Sequence, residues 1–323
     1  MKSRIIILSL ISLLFFSCTS EAQKTKLKRT SPDGRIIVAD DATMSSVDGP
    51  APLTPRTDSL FRIVINKGKE QNLEQLPIGK RVVGYGKLLL GVPYVDKTLE
   101  VNPYSESLVC NLEGLDCVTF FENAWAFALA VKAPIESQQL SFRNALINSR
   151  YRNGQLDGYA SRLHYTTDYF YNNAQRGKLK EMTTSIGGIY AVIEDKPIDF
   201  MSNHPASYKQ IENNETEWKR IEFYEREMAN RGGFYYIKKE NVAKIEKGIQ
   251  DGDLIGITTS IPGIDCSHTG IAVRGDDGRI HLMHASLTKK KVIISDEPLA
   301  DYLAGNAKQT GIIVYRPLEV EQK

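Results

Sequence analysis

The stretch Gly114-Leu115-Asp116-Cys117-Val118-Thr119-Phe120-Phe121 decides how the chain reads. A glycine ends a loop, Asp116 stands where a helix begins, and Cys117 follows as its first residue. From Val118 to Val131 the chain is apolar on nearly every face, the pattern of a buried central helix. A thiol at a helix start meets unpaired N–H groups and the positive end of the macrodipole. That setting favours the thiolate and predicts a pKa below the free value of about 8.5. The same N–H groups offer an oxyanion hole. Taken alone, the stretch also fits a cysteine that merely packs in a buried helix.

What lifts Cys117 above that plainer reading lies downstream. From Asp251 onward the signal changes to period two and turns. Leu254–Thr258, Ser267–Val273, Arg279–Ala285, Lys291–Ile294 and Thr310–Tyr315 read as five short antiparallel strands, curled or barrel-like. Residues two apart on a strand share a face. His268 therefore shares its face with the small residues Gly270 and Ala272, which leaves room for another element, and His284 on the next strand shares a face with Leu282 and Ser286. If the Cys117 helix packs on that side, nucleophile, base and orienting group meet, as acyl transfer requires. Cys117 attacks a carbonyl, His268 moves the proton, and His284 holds the His268 ring in one tautomer.

The remaining chain bounds the setting. At 323 residues with a net charge of +2, nothing in the composition argues for nucleic acid. Residues 1–22 read as a targeting segment: a basic start, an apolar run from Ile5 to Phe16, then small residues. Two processing readings stay open. Phe15-Phe16-Ser17-Cys18 resembles a lipobox, which would anchor the protein to a membrane through a lipid on Cys18, whereas Ser20-Glu21-Ala22 suits ordinary cleavage. Both export the chain to the cell envelope. Residues 23–55 read as a tether or loosely ordered arm, with helices following near Thr57 and over Pro77–Leu90. Four cysteines in a large exported chain are no disulfide framework, although a Cys110–Cys266 bridge is conceivable. No zinc-type spacing is present, so no metal or cofactor is expected. Residues 134–247 carry helical patterns over Gln138–Arg150 and Asn214–Arg231. Within them Ser161-Arg162-Leu163-His164-Tyr165 makes His164 a candidate substrate contact.

Asp-Cys at a buried helix start, Ser-His-x-Gly-Ile on a strand and Met-His-Ala on the next resemble the NlpC/P60 cysteine peptidase superfamily. Gly91-Val92-Pro93-Tyr94-Val95 looks like the Gly-x-Pro-Tyr segment that precedes the nucleophile there. The resemblance implies an α+β, papain-like core in which N-terminal helices pack on a five-stranded barrel-like sheet. It implies Cys117, His268 and His284 as the catalytic set, with Asp116, Tyr94 and Ser267 lining the substrate end. Val118-Thr119 stands where that superfamily usually has Ser-Gly. The separation of Cys117 from His268 makes residues 134–247 a helical, lid-like insertion within a catalytic domain spanning 56–319.

With Leu115-Asp116-Cys117-Val118-Thr119-Phe120 and the His164 segment, the chain resembles the DUF1460 branch, whose members look like N-acetylmuramoyl-L-alanine amidases. The implied substrates are peptidoglycan fragments, cut between the lactyl group of (1,6-anhydro)muramic acid and L-alanine. Two other readings stand beside it. One is a stem-peptide endopeptidase acting at a D-glutamyl–diamino acid bond, in which Asp116 binds a peptide amine. The other is a non-catalytic wall-binding lipoprotein.

Overall fold

The computed structural model describes residues 53–319 and the backbone of residues 27–30 and 36–39. The expected leader with Cys18, and most of the expected arm, lie outside the described residues. Strands β1 (Leu27–Thr30) and β2 (Ile36–Ala39) pair antiparallel in a small unit of their own.

In the larger unit, helix α1 (Pro55–Glu70) starts earlier than the sequence suggests, because Thr54 caps it and Pro55 occupies its first turn. Helix α2 (Ile78–Leu88) follows and ends before Gly91, whose φ of +86° a side chain would oppose. Helix α3 (Cys117–Ala130) is buried around most of its circumference, as its composition predicts. Helix α4 is Gln138–Arg150 and α5 is Thr166–Gln175. Phe127 of α3 lies 4.6 Å from Phe142 of α4, 5.5 Å from Phe61 of α1 and 5.4 Å from Tyr85 of α2, centroid to centroid. Full burial of one such ring stabilises by about 1.5–3 kcal/mol.

The sheet has eight strands where five were expected. The five are present as β6 (Leu254–Thr259), β7 (Cys266–Arg274), β8 (Ile280–Ser286), β9 (Lys291–Pro298) and β10 (Gln309–Pro317). The other three are β3 (Leu179–Glu181), β4 (Ala191–Glu194) and β5 (Phe234–Lys238), all inside the segment read as helical. Strands of three to five residues are too short to show a period against the helical background. The order is β4-β5-β10-β6-β7-β8-β9, with β3 also on β10 and every pairing antiparallel. This path runs from β4 to β9 without closing, so the barrel expectation gives way to an open sheet.

Which face α3 covers is also a correction. The core it fills is closed by Ile271, Val273, Met283 and Ala285, whereas Ala272 and Leu282 belong to a second core with Leu299 and Leu303. Gly270 is small for another reason than a helix above it: a Cβ there would lie 2.7 Å from the Leu282 side chain and 2.8 Å from the Met283 carbonyl.

Candidate active site

The segment Gly91–Val95 runs along the free edge of β9: Gly91 N–H donates to Val292 O (3.0 Å), and Tyr94 N–H to Lys290 O (2.9 Å). A bridge from Tyr94 to Leu115 then delivers the chain to Asp116 and Cys117. Asp116 is the N-cap of α3. Its Oδ1 accepts from Val118 N–H (3.1 Å), Thr119 N–H (2.8 Å) and the Thr119 hydroxyl (2.8 Å). Its Oδ2 accepts from Thr98 (2.9 Å), and Thr119 Oγ1 accepts from the Asp116 N–H (3.0 Å), completing a capping box.

Burial and this cap together reverse the expectation of a ready thiolate. Burial pushes the Cys117 thiol up to about 11, and the adjacent Asp116 charge adds to it; the Thr269 hydroxyl and backbone N–H oppose them, as does Cys117's own N–H. The helix end offers little because Asp116 has taken the Val118 and Thr119 N–H groups. Of the N–H groups at the start of α3, that of Cys117 is left to face an oxyanion. Cys117 is thus a protonated thiol at rest, and a nucleophilic role for it would need a base.

His268 and Cys117 both line a cavity of about 200 Å³, whose walls also include Thr269, Ser267, His164 and Tyr165. No hydrogen bond joins the thiol to His268 among the described contacts, a looseness common in unliganded sites. His268 reaches the cavity near the start of β7. There the pairing slips, with Ile257 opposite His268 but Thr258 opposite Cys266, so Ser267 bulges outward. Nε2 of His268 lies 2.6 Å from Nδ1 of His284, with the rings edge to face. Burial lowers the His268 pKa to about 4; burial and then the His268 charge lower that of His284 to about 3. Behind them Tyr302 packs edge-on against His284 at 5.4 Å.

The four expected substrate contacts separate. Ser267 and His164 line the cavity that Cys117 and His268 share. His164 Nε2 donates to the Tyr159 carbonyl (2.9 Å), so its Nδ1 is left as an acceptor. Burial, then the Arg162 charge, hold His164 neutral, well below its ordinary pKa. Tyr94 lies outside that wall but close to the thiol: burial, then charge at Cys117, Asp96 and Asp116, push its phenol to about 12. Asp116 is committed to the cap. Cys110, Cys117 and Cys266 are all free thiols, so the Cys110–Cys266 bridge is not formed.

Residues that the sequence did not single out complete the site. Thr98 and Thr119 fix Asp116, Thr269 shares the cavity wall with Cys117, and Phe200, Met201 and Tyr208 complete that wall. Asp265 pins α5 to the sheet by accepting from Thr167 N–H (2.6 Å) and Thr167 Oγ1 (2.8 Å). Only Thr269 had a legible signal, as the variable residue inside Ser-His-x-Gly. Among the described residues, no cluster of three or more His, Cys, Asp or Glu is arranged to hold a metal ion.

The geometry can be set beside known proteins. A crystal structure of an N-acetylmuramoyl-L-alanine amidase from Bacteroides uniformis is 37% identical, with a TM-score of 0.68, and the match covers 75% of this chain and 99% of that one. A Bacteroides fragilis protein described as a candidate xylanase is 34% identical, with a TM-score of 0.63 and coverage of 72% and 98%. Protein LPG0564 from Legionella pneumophila, assigned to DUF1460, shares the fold at 22% identity, with a TM-score of 0.60 and coverage of 81% and 95%. No curated protein matches. Residues 84–312, a span containing Cys117, His268 and His284, match the family described as "AmiA-like: N-acetylmuramoyl-L-alanine amidase-like", and the chain belongs to that family.

Proposed function

We propose that the protein is a cell-envelope amidase that hydrolyses the amide between the lactyl group of (1,6-anhydro-)N-acetylmuramic acid and L-alanine in muropeptides. Cys117 is the nucleophile and His268 the base. The observation that carries this reading is the cavity shared by Cys117 and His268, with His284 2.6 Å behind the base. Family membership supports the class of bond and a peptidoglycan-derived substrate.

The chemistry follows from the tautomers. His284 occupies His268 Nε2, so Nδ1 of His268 is the nitrogen left for the thiol proton. As the proton moves there, Cys117 Sγ bonds to the lactyl carbonyl carbon and the carbonyl oxygen becomes an oxyanion, met by the Cys117 N–H. The tetrahedral species collapses, the C–N bond breaks, and His268 returns the proton to the alanine nitrogen. Water then adds to the thioester carbon while His268 takes its proton, and the C–S bond breaks to restore the thiol. No step draws on a cofactor.

Recognition is assigned to His164, whose Nδ1 suits an N–H or O–H of the sugar, with Ser267 and Tyr94 at the cleft edge. A papain-like NlpC/P60 core with residues 134–247 as an insertion is supported by the order of elements, catalytic helix first and base-bearing strand later. Export, through a lipid on Cys18 or cleavage after Ala22, suits this substrate. The stem-peptidase reading needs Asp116 to bind an amine, a role that competes with the four hydrogen bonds its carboxylate accepts. Xylanase chemistry needs two carboxylates facing the cleft; Asp116 and Asp265 are each committed to a helix start. Digestion of an anhydromuramoyl peptide separates the readings by mass. Intact sugar with its lactyl acid, plus a peptide beginning with L-alanine, is expected; a cut within the stem would overturn the proposal.

A further inference from the structure

Beyond the catalytic cavity lies a second, of about 700 Å³, walled by Tyr171, Tyr235 and Tyr315 together with Lys196, Arg231 and Asp195. The two share a partition. Thr166 and Met201 line the catalytic cavity, while Thr167 and Ile198 line the second. Lys196 sits at this partition. Its ammonium donates to the Thr259 carbonyl, and the Thr259 N–H in turn donates to the Asp265 carbonyl (3.1 Å) on the catalytic side. Its positive charge is also felt at Cys266, another wall of the catalytic cavity.

An ammonium has three N–H donors, and the Thr259 carbonyl takes one. Among the described residues no carboxylate lies within ion-pair distance of Lys196, although the neighbouring cation Arg231 is neutralised by Asp168 at 2.8 Å and lies over the Tyr171 ring. A half-buried cation with a neutral partner and two donors to spare is an anion site in waiting. The amidase reading, on which this inference rests, says which part of the substrate supplies the anion. The carboxyl group of muramic acid is consumed in the scissile amide, so a carboxylate must come from the peptide.

We propose that Lys196 anchors a carboxylate of the leaving peptide, and that the second cavity takes the peptide beyond it. Binding to the Cys117→Ala protein tests this without turnover. Two muramoyl-L-alanyl dipeptides are compared, identical except for a free carboxylate or a carboxamide on the second residue. The acid is expected to bind about tenfold tighter or better, a preference abolished when Lys196→Met is added and partly kept with Lys196→Arg. Equal affinity for the two ligands, an unchanged preference in the Lys196→Met protein, or no saturable binding of either overturns the anchor. Digestion of the same acid by the wild-type protein reports separately on the reaction. A preference for the acid with no cut at the muramoyl–alanine amide would leave the anchor standing and remove the amidase reading.

Discussion

Nε2 of His268 and Nδ1 of His284 face each other at 2.6 Å, and the far nitrogen of His284 is buried with no hydrogen-bond partner among the described residues. For His268 to accept a proton at Nδ1, its Nε2 must carry hydrogen and donate to His284. On the proposed mechanism His284 is then a positioning residue that stabilises the imidazolium as it forms. Replacing His284 by Ala is expected to lower kcat by about 10²–10⁴ with little change in KM. His284→Asn, which can still offer an acceptor, should recover part of the loss. A change in KM alone would assign His284 to packing. Steady-state kinetics on an anhydromuramoyl peptide make the distinction.

The same pair predicts the acid limit of stability. Both rings have folded pKa values, about 4 and about 3, below the unfolded value of about 6.5. The unfolded chain therefore binds protons first as the pH falls. Stability is complete above about pH 6.5 and is lost on acidification towards pH 4 and below, by up to about 1.4 kcal/mol per pH unit for each histidine. Urea unfolding across pH 4–7 should show this slope, reduced in His268→Ala.

Asp116 raises the thiol pKa by its charge and by occupying the helix N–H groups. Asp116→Asn keeps an oxygen for the cap but removes the charge, so the thiol pKa should fall from about 11. The pH dependence of alkylation by iodoacetamide reads this directly. Asp116→Ala should in addition cost about 0.5–2 kcal/mol through the lost cap.

Under α3, Arg150 and Glu122 form a salt bridge at 2.9 Å, both almost fully buried, and Arg150 also donates to the Val109 carbonyl at 2.6 Å. Arg150→Met leaves a buried carboxylate alone and is expected to destabilise by about 3–5 kcal/mol. Adding Glu122→Gln should recover part of that loss. Equilibrium unfolding of the single and double variants measures the coupling.

What was legible in the sequence was local. Asp116 before an apolar run announced the cap and the central helix, and alternation from Leu254 onward announced the five longer strands. Less legible were β3, β4 and β5, whose runs of three to five residues are too short to show a period. Strand parity brought His268 and His284 together correctly, yet it misplaced α3, since Gly270 yields space to Leu282 rather than to a helix. The raised thiol pKa could not be foreseen from a cysteine at a helix start. It depends first on how deeply the folded chain buries Cys117 and then on the adjacent Asp116 charge, and burial is a matter of tertiary contact.

The most direct measurement is the intact mass of the protein, quenched during turnover of an anhydromuramoyl peptide. A thioester carrying the muramoyl group alone is expected, absent from Cys117→Ala and mapped to Cys117 by digestion. An adduct that includes stem-peptide residues, or undiminished turnover by Cys117→Ala without any adduct, would contradict nucleophilic attack by Cys117 at the muramoyl–alanine amide.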